Sequence, residues 1–416
     1  MDKIYDSCCG LDVHQKLIVA CFRHGGKKEI REFGTNNLQL NLLADWLIEG
    51  GCEMCAIEST GSYWKPVFNV FEERKLPIMV VNPYHMHNIP GHKTDVKDAD
   101  WIGDLLMNGL LKPSFIPSKR QRELREMCML RKSCTQERTR LINRLQKIME
   151  GANIKLSGTI TNVVGMSGRT FLGLLLQGIK IDESLYDKLL KEKKISKQLK
   201  ASKKQIIEDL QGGFTSVQKA EVRIILQLID AQTAAIDELT EEIKRTMTPE
   251  EHEVSKLLQT VYGIAEVAAQ IIIAVIGIDM DKFQSPEKLA AWLGLCPADN
   301  TSAKKRKKNG SRQGNTLAKT TIITCAHSAI LKKNSYFYAR FVRIKGRRGS
   351  KKAYVAVAHS MIIAIYYIIK NRVPFQDLGA NYLNTFDREK RIKSLLKGLI
   401  KLGWAGEIPS TMAIAN

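Results

Sequence analysis

Short apolar runs in one part of the chain and helical apolar spacings in the rest divide it into two kinds of structure. In the first hundred or so residues, β-branched runs at Tyr5–Val13, Lys16–Phe22, Glu29–Phe33, Glu53–Ile57 and Ile78–Val81 predict five strands. Gly25–Gly26 predicts a hairpin turn between the second and third. Leu38, Leu42, Leu43, Trp46 and Leu47 recur at helical spacing, so a helix is expected over Asn36–Ile48, stopped by Gly50–Gly51. Two more are expected over Tyr63–Lys75 and Val96–Leu111. Three meandering strands, then helix, strand, helix, strand, helix, is the order of an α/β RNase H-like sheet.

From about Ser118 the pattern turns helical. A long charged stretch with a basic face runs to Glu150, and Gly151 to Gly213 reads as helices broken by glycines. Over Ser216–Met247, Val222, Ile229, Ile236 and Ile243 repeat every seven residues, with Ile225 and Leu239 filling the seam. That predicts a short coiled coil, interrupted at Gln232 and ended by TMTPEEHE. A helix packed on its own domain and a dimerisation arm fit this seam equally. The segment LLQTVYGIAEVAAQIIIAVIGI predicts two short helices joined at Tyr262–Gly263. This resembles a helix-hairpin-helix, which offers backbone N–H groups to a phosphate, and an ordinary αα-hairpin explains it as well. The expected division is residues 1–115 for the α/β domain and 116–250 for a helical, coiled-coil linker. A mostly α-helical domain over 251–380 and a helical tail over 381–416 complete it.

Charge adds a partner. The chain has 64 Lys+Arg against 43 Asp+Glu, a net +21 and a pI near 9.5. Such a balance favours a polyanion, above all nucleic acid, over a membrane surface or an acidic protein. Between Asn300 and Gln376 there are 18 Lys or Arg and no Asp or Glu, the pattern of a phosphate-facing surface. Tyr336, Phe337, Tyr338, Phe341 and Tyr354 interleave it and could stack bases or fill a core. The first residues lack the pattern of a secretory signal or transit peptide. Ile271–Ile278 and Ala353–Ile369 are expected to be too short or too interrupted, by His359 and Ser360, to span a bilayer. Nine irregularly spaced cysteines fit free thiols in a cytoplasmic protein, with Cys52 and Cys55 as core thiols and not a metal pair. His85, His87 and His92 read as a polar loop.

Four carboxylates are the candidate chemistry. Asp12 ends the first strand, Glu58 ends the fourth, and Asp95 and Asp98 open a helix three residues apart, hence on one face, with Asp100 pointing away. In an RNase H-like sheet the first and fourth strands are neighbours, so these oxygens converge where Mg²⁺ (or Mn²⁺) activates the entering and leaving oxygens of a phosphodiester. Singly, each acid is also explained as a cap, a first-turn charge or a turn residue. A second group lies in KKRKKNGSRQGNTLAK. Ser311, between Gly310 and Arg312, is either a helix cap or turn residue, or a nucleophile whose transition-state charge Lys308 and Arg312 stabilise.

The motifs occur in a distinctive order: DVHQK, ESTGSYW, VNP, KTDVKDAD, the heptad region, VYGIAEVAA, FQSPEKLAAWLGLCP and GSRQGN. In this order, from about residue 5 to 375, the chain resembles the DEDD transposases of bacterial insertion sequences, the IS-one-ten family of RNA-guided serine recombinases. The resemblance implies a RuvC-like N-terminal domain, a coiled coil and a C-terminal transposase domain. It places the metal-binding DEDD set on Asp12, Glu58, Asp95 and Asp98 and the nucleophile on Ser311. It further implies a covalent phosphoserine link to one DNA strand. Donor and target double-stranded DNA, a structured non-coding bridge RNA, and a homodimer assembling to a tetramer are the implied partners. A bacterial, cytoplasmic, nucleoid-associated protein with no membrane follows. Lys304, Lys305, Arg306, Lys307, Lys308, Arg312, Arg343, Arg347 and Arg348 are the expected nucleic-acid contacts. Arg312–Gln313–Gly314 and Tyr262–Gly263 depart from the family's usual Lys-Arg-Gly and Pro-Gly, and neither removes a proposed catalytic group. The alternative is a metal-dependent RuvC-like junction nuclease without a covalent intermediate, and a non-catalytic binder is the third reading.

Overall fold

A computed structural model of the chain describes residues 4–82, 95–296, 301–302, 305–306 and 314–383, with scattered positions between 392 and 403. It has two compact units, Met1–Arg120 and Gln121–Asn416. In the first, five strands form one sheet: β1 (Cys8–Val13), β2 (Leu17–His24), β3 (Lys27–Gly34), β4 (Met54–Glu58) and β5 (Ile78–Val81). Their order is β3-β2-β1-β4-β5, with β1, β2 and β3 antiparallel and β4 and β5 joined parallel to β1. This is the arrangement expected from the order of apolar runs. Gly25 and Gly26 turn the β2–β3 hairpin with φ of 55° and 74°, both in the left-handed region that such a two-residue turn needs.

Alternation along β1 decides which residues meet which layer. Cys9, Leu11 and Val13 point into a core with Ile18, Phe22, Leu43, Leu47 and Phe71, under α1 (Asn37–Glu49) and α2 (Trp64–Glu73). Cys8 points to the opposite face, where α3 (Asp95–Met107) packs through Ile102, Leu105 and Leu106. The expected Val96–Leu111 helix stops earlier, because Gly109 turns out of it at φ 66°.

Between these layers the backbones of β1 and α3 nearly touch at Gly10. A Cβ there would collide with the Ala99 carbonyl and the Gly103 nitrogen and lie 3.0 Å from Gly103 Cα. Backbone cannot swing aside as a side chain can. Gly10→Ala is therefore expected to cost about 3 kcal/mol, the upper end of ordinary overpacking, read as a lowered denaturant midpoint at unchanged m. A stability within 0.5 kcal/mol of the parent (about the scatter of surface changes) would contradict this packing.

The second unit is helical and has two cores joined by two long helices, α4 (Lys119–Gly151) and, later in the chain, α9 (Ser216–Thr246). Between them lie α5 (Leu156–Thr159), α6 (Met166–Gln177), α7 (Glu183–Lys191) and α8 (Lys203–Asp209). These surround Phe171, Leu172, Leu189 and Ile206, packed with Leu145 and Met149 of α4 and Val222, Ile225 and Ile229 of α9. The other core contains Leu124 and Cys128 of α4 and Ile243 of α9. Its further helices are α10 (Pro249–Leu258), α11 (Glu266–Ile276), α12 (Pro286–Trp292), α13 (Thr316–Ala329), α14 (Tyr336–Arg348) and α15 (Ser350–Asn371). A short hairpin, β6 (Thr301–Ser302) with β7 (Lys305–Arg306), precedes α13.

The two ends of the α9 seam pack inside the chain, through Val222, Ile225 and Ile229 at one end and Ile243 at the other, while Ile236 and Leu239 between them are half-buried. Gln232, where the seam is interrupted, donates to Glu137 of α4 at 3.1 Å, and Arg131 of α4 donates to Thr240 at 3.4 Å. Residue numbers rise on one helix as they fall on the other, so the pair is antiparallel. Arg131 is buried and also donates to Gln270 of α11 at 2.6 Å, which ties the pair to the larger core. Threonines end and begin the helices here: Thr248 and Glu251 form a capping box with Pro249 at the first helical position.

The segment around Gly263 is a helical hairpin of α10 and α11, with Gly263 at φ 85° against the backbone of α13. At 22 residues, α15 is long and apolar enough to cross a bilayer, longer than its interrupted pattern predicts. About half of its apolar window is buried among the neighbouring helices, as befits a core helix. All nine cysteines are free thiols. Cys52 and Cys55 lie 3.7 Å apart, sulfur to sulfur. Burial lifts the Cys8 thiol to about 12 and those of Cys128 and Cys325 to about 11, which keeps them protonated core residues. His85, His87 and His92 lie outside the described residues.

Candidate active site

Asp12 and Glu58 sit at the ends of adjacent parallel strands. Leu11 pairs with Ile57, so the next residue of each strand, Asp12 and Glu58, is abreast of the other. Both fall on the same face. Asp12 has the parity of Cys8 and Gly10, and Glu58 that of Ala56; Cys8 and Ala56 pack against α3. Their cross-strand neighbours agree, since Val19 opposite Asp12 and Val81 opposite Glu58 lie on that face too.

The third element arrives by the direction of α3. Met107 accepts from Ile4, Gly103 lies over Cys8 and Gly10, and Ala99 lies over Gly10. The helix thus runs antiparallel to β1. Four helical residues advance about 6 Å, close to the advance of two strand residues. One further step brings the first turn of α3, with Asp95 and Asp98, to the level of Asp12. Asp95 opens the helix, and its side chain lies outside the described residues; Asp98 is half-buried.

Each sheet carboxylate also has a local partner. Asp12 lies 3.2 Å from His14 Nε2, and Glu58 accepts from Thr60 Oγ1 at 2.8 Å. These two partners were not among the expected site residues, although both stand two positions beyond their acid. Among the described residues no group of three His, Cys, Asp or Glu side chains is gathered as a metal site. The donor set is all oxygen, the chemistry that suits Mg²⁺ or another hard cation.

Asp100 serves elsewhere. It is held by Arg23, by Lys28 at 2.9 Å and by Cys21 at 3.4 Å, while Arg23 also reaches Asp104 at 3.4 Å. Burial raises the Asp100 carboxyl, but the hydrogen bond from Lys28 and the Arg23 charge outweigh it and hold it below the ordinary range. The group clamps α3 onto β2 and β3, and so fixes where the first turn of α3 lies.

Ser311, Lys304, Lys307, Lys308 and Arg312 lie outside the described residues, and of Lys305 and Arg306 only the backbone of β7 is described. The chain that leaves this segment is nonetheless fixed. A Cβ on Gly314 would collide with the backbone of Leu293 and Gly294, and Asn315 caps α13 by accepting from Ala318 N at 3.1 Å. The cap of α13 is thus Asn315, which removes one ordinary explanation for Ser311. Beyond it, Arg347 and Arg348 end α14, and Lys351 and Lys352 follow at the start of α15, all exposed. None of these four has an ion pair among the described residues. Arg343 donates to the Leu383 carbonyl at 3.3 Å.

The chain matches the IS110 DEDD transposase family over residues 9–154. It matches the Transposase IS116/IS110/IS902 family over residues 255–342. The chain belongs to the IS110 family of DEDD transposases. No curated protein matches it. The first match takes in the sheet from Cys9 onward, α3 and α4; a DEDD transposase domain implies an RNase H-like fold, with which this mixed five-stranded sheet is consistent. Membership makes the chain a DNA-cleaving enzyme that cuts and rejoins DNA in transposition. DEDD domains of this kind typically use divalent metal ions.

Proposed function

We propose that this transposase cuts and rejoins DNA with a composite site completed between protomers: a divalent-metal centre on Asp12, Glu58, Asp95 and Asp98 of one protomer, and the hydroxyl of Ser311 of another as nucleophile. The observation that carries the metal half is the shared parity of Asp12 and Glu58 on abreast strand ends, under the face that α3 crosses. Bound there, Mg²⁺ or Mn²⁺ supplies Lewis-acid polarisation of a scissile phosphate. The protein's own groups do the rest. The Arg23–Asp100–Lys28 clamp holds α3 so that its first turn faces the strand ends. His14 and Thr60 orient the two sheet carboxylates. The Ser311 Oγ–P bond forms as one P–O(sugar) bond of the DNA backbone breaks. One strand end is thereby held as a phosphoserine, and the other leaves as a free hydroxyl carrying the proton the serine gives up. The exposed cations at the α14–α15 junction hold the backbone meanwhile. Assignment of the donor and target by a structured non-coding RNA, and assembly of dimers into a tetramer, complete the reading.

The test of the metal half is a pair of isosteric changes. Asp12→Asn and Glu58→Gln are each expected to lower Mg²⁺-supported strand cleavage roughly 10²–10³-fold, with thermal unfolding unchanged. Parent-like cleavage in both would sink the metal reading.

A further inference from the structure

We infer that the loop between α7 and α8, with the last turn of α7, is a second surface for duplex DNA, separate from the α14–α15 junction. It lies in the small helical module that both family matches leave out, since one ends at residue 154 and the other begins at 255. From Lys188 to Lys204 there are eight lysines and a single acid, Glu192. Lys194 pairs with Glu192 at 2.8 Å, Lys203 with Asp187 at 2.9 Å, and Lys204 with Glu208 at 4.0 Å. Lys188, Lys191, Lys193, Lys197 and Lys200 are exposed, and none has an ion pair among the described residues.

Elsewhere the module mixes its signs, as a merely solvated surface does. Arg169 donates to Asp230 at 2.9 Å, and Lys155 pairs with Glu150. Five cations crowded into thirteen positions repel one another, a cost that a polyanion would relieve. The loop that carries them is anchored. Ile195 is buried, Ser196 N donates to Ser167 Oγ at 2.9 Å, and Thr170 Oγ1 donates to the Lys194 carbonyl at 3.0 Å. Along α7, Tyr186 and Leu189 take the buried face, and Lys188 and Lys191, three apart, lie on the exposed side.

The chemistry of the patch selects its partner. Lysines are point charges that contact phosphate and read no base edges. The one aromatic nearby, Tyr186, is buried, so no platform exists for stacking unpaired bases. A duplex backbone fits, and DNA is the duplex this family acts upon. The surface would hold DNA flanking the cut without regard to sequence.

The experiment measures duplex DNA binding by the full chain against KCl concentration. The parent is compared with the fivefold variant K188Q, K191Q, K193Q, K197Q and K200Q. Each lost phosphate contact should flatten the plot of log affinity against log salt by about 0.9, so a flattening of roughly 2–4 is expected. The matching Lys→Arg variant should keep the parent slope. An unchanged slope in the glutamine variant overturns the inference. So does a flattening seen with duplex RNA of equal length but not with DNA. A third variant, Arg347→Gln with Arg348→Gln, separates this surface from the proposed function. If it alone weakens DNA binding, the composite-site reading stands and the second surface falls.

Discussion

With Ser311 replaced by alanine, the transposase is expected to lose its covalent protein–DNA adduct and at least about 10³-fold in strand transfer, while remaining folded. Under the proposed mechanism the loss is large, because removing the nucleophile removes a step. The adduct is read on a denaturing gel with end-labelled DNA, in Mg²⁺. An active Ser311→Ala protein that leaves free 3′-OH and 5′-phosphate ends would establish the hydrolytic, metal-only nuclease instead. Ser311→Cys offers a sharper readout, since a thiolate nucleophile would shift the pH dependence of adduct formation toward its own titration range. The assignment of the α13 cap to Asn315 makes this test cleaner, because Ser311→Ala leaves that helix start intact.

The largest stability effect is expected at Gly263. Its φ of 85° is costly for any residue with a side chain, by about 1–2 kcal/mol. A Cβ there would also collide with the Cys325 carbonyl and approach Ala329 N to 2.7 Å. Strain and collision act on the same atom, so Gly263→Ala should cost roughly 3–5 kcal/mol, enough to unfold the larger core or leave it marginal. Differential scanning calorimetry would show the helical transition at a lower temperature. A transition within a degree of the parent would mean that α10 and α13 are not packed in this way.

The sheet was legible because most of its strands are short, continuous apolar runs bounded by turn residues, whereas the helices between them repeat near 3.6. Ends were less so: β1 begins at Cys8 and not at Tyr5, and α3 stops at Met107 because Gly109 changes hand. Adjacency of Asp12 and Glu58 followed from strand order alone. The Asp100 clamp could not be read, because Lys28 and Arg23 stand 72 and 77 residues away and their meeting depends on which strand α3 crosses. Heptads in α9 revealed a seam but not its occupant. The partner α4 has no clean heptad, since Leu124, Cys128 and Arg131 are buried near one end and Leu145 and Met149 near the other, with exposed charge between. The eight lysines of 188–204 were visible in the sequence, whereas which of them are paired is a property of the fold.

The antiparallel α4–α9 pair also dictates when the protein can fold as it is made. Leu124 and Cys128 belong to a core whose next contributor, Ile243, is more than a hundred positions away, and whose last is Ile369. The sheet unit can close as soon as α3 has left the ribosome, and the small module soon after α9 emerges. The larger core waits. At about 5–20 residues per second, Cys128 spends on the order of 10–50 s without its final partners. For the last part of that interval the apolar run of α11 has α4 and α10 beside it but still lacks α13 and α15, which makes chaperone demand a natural companion of this architecture.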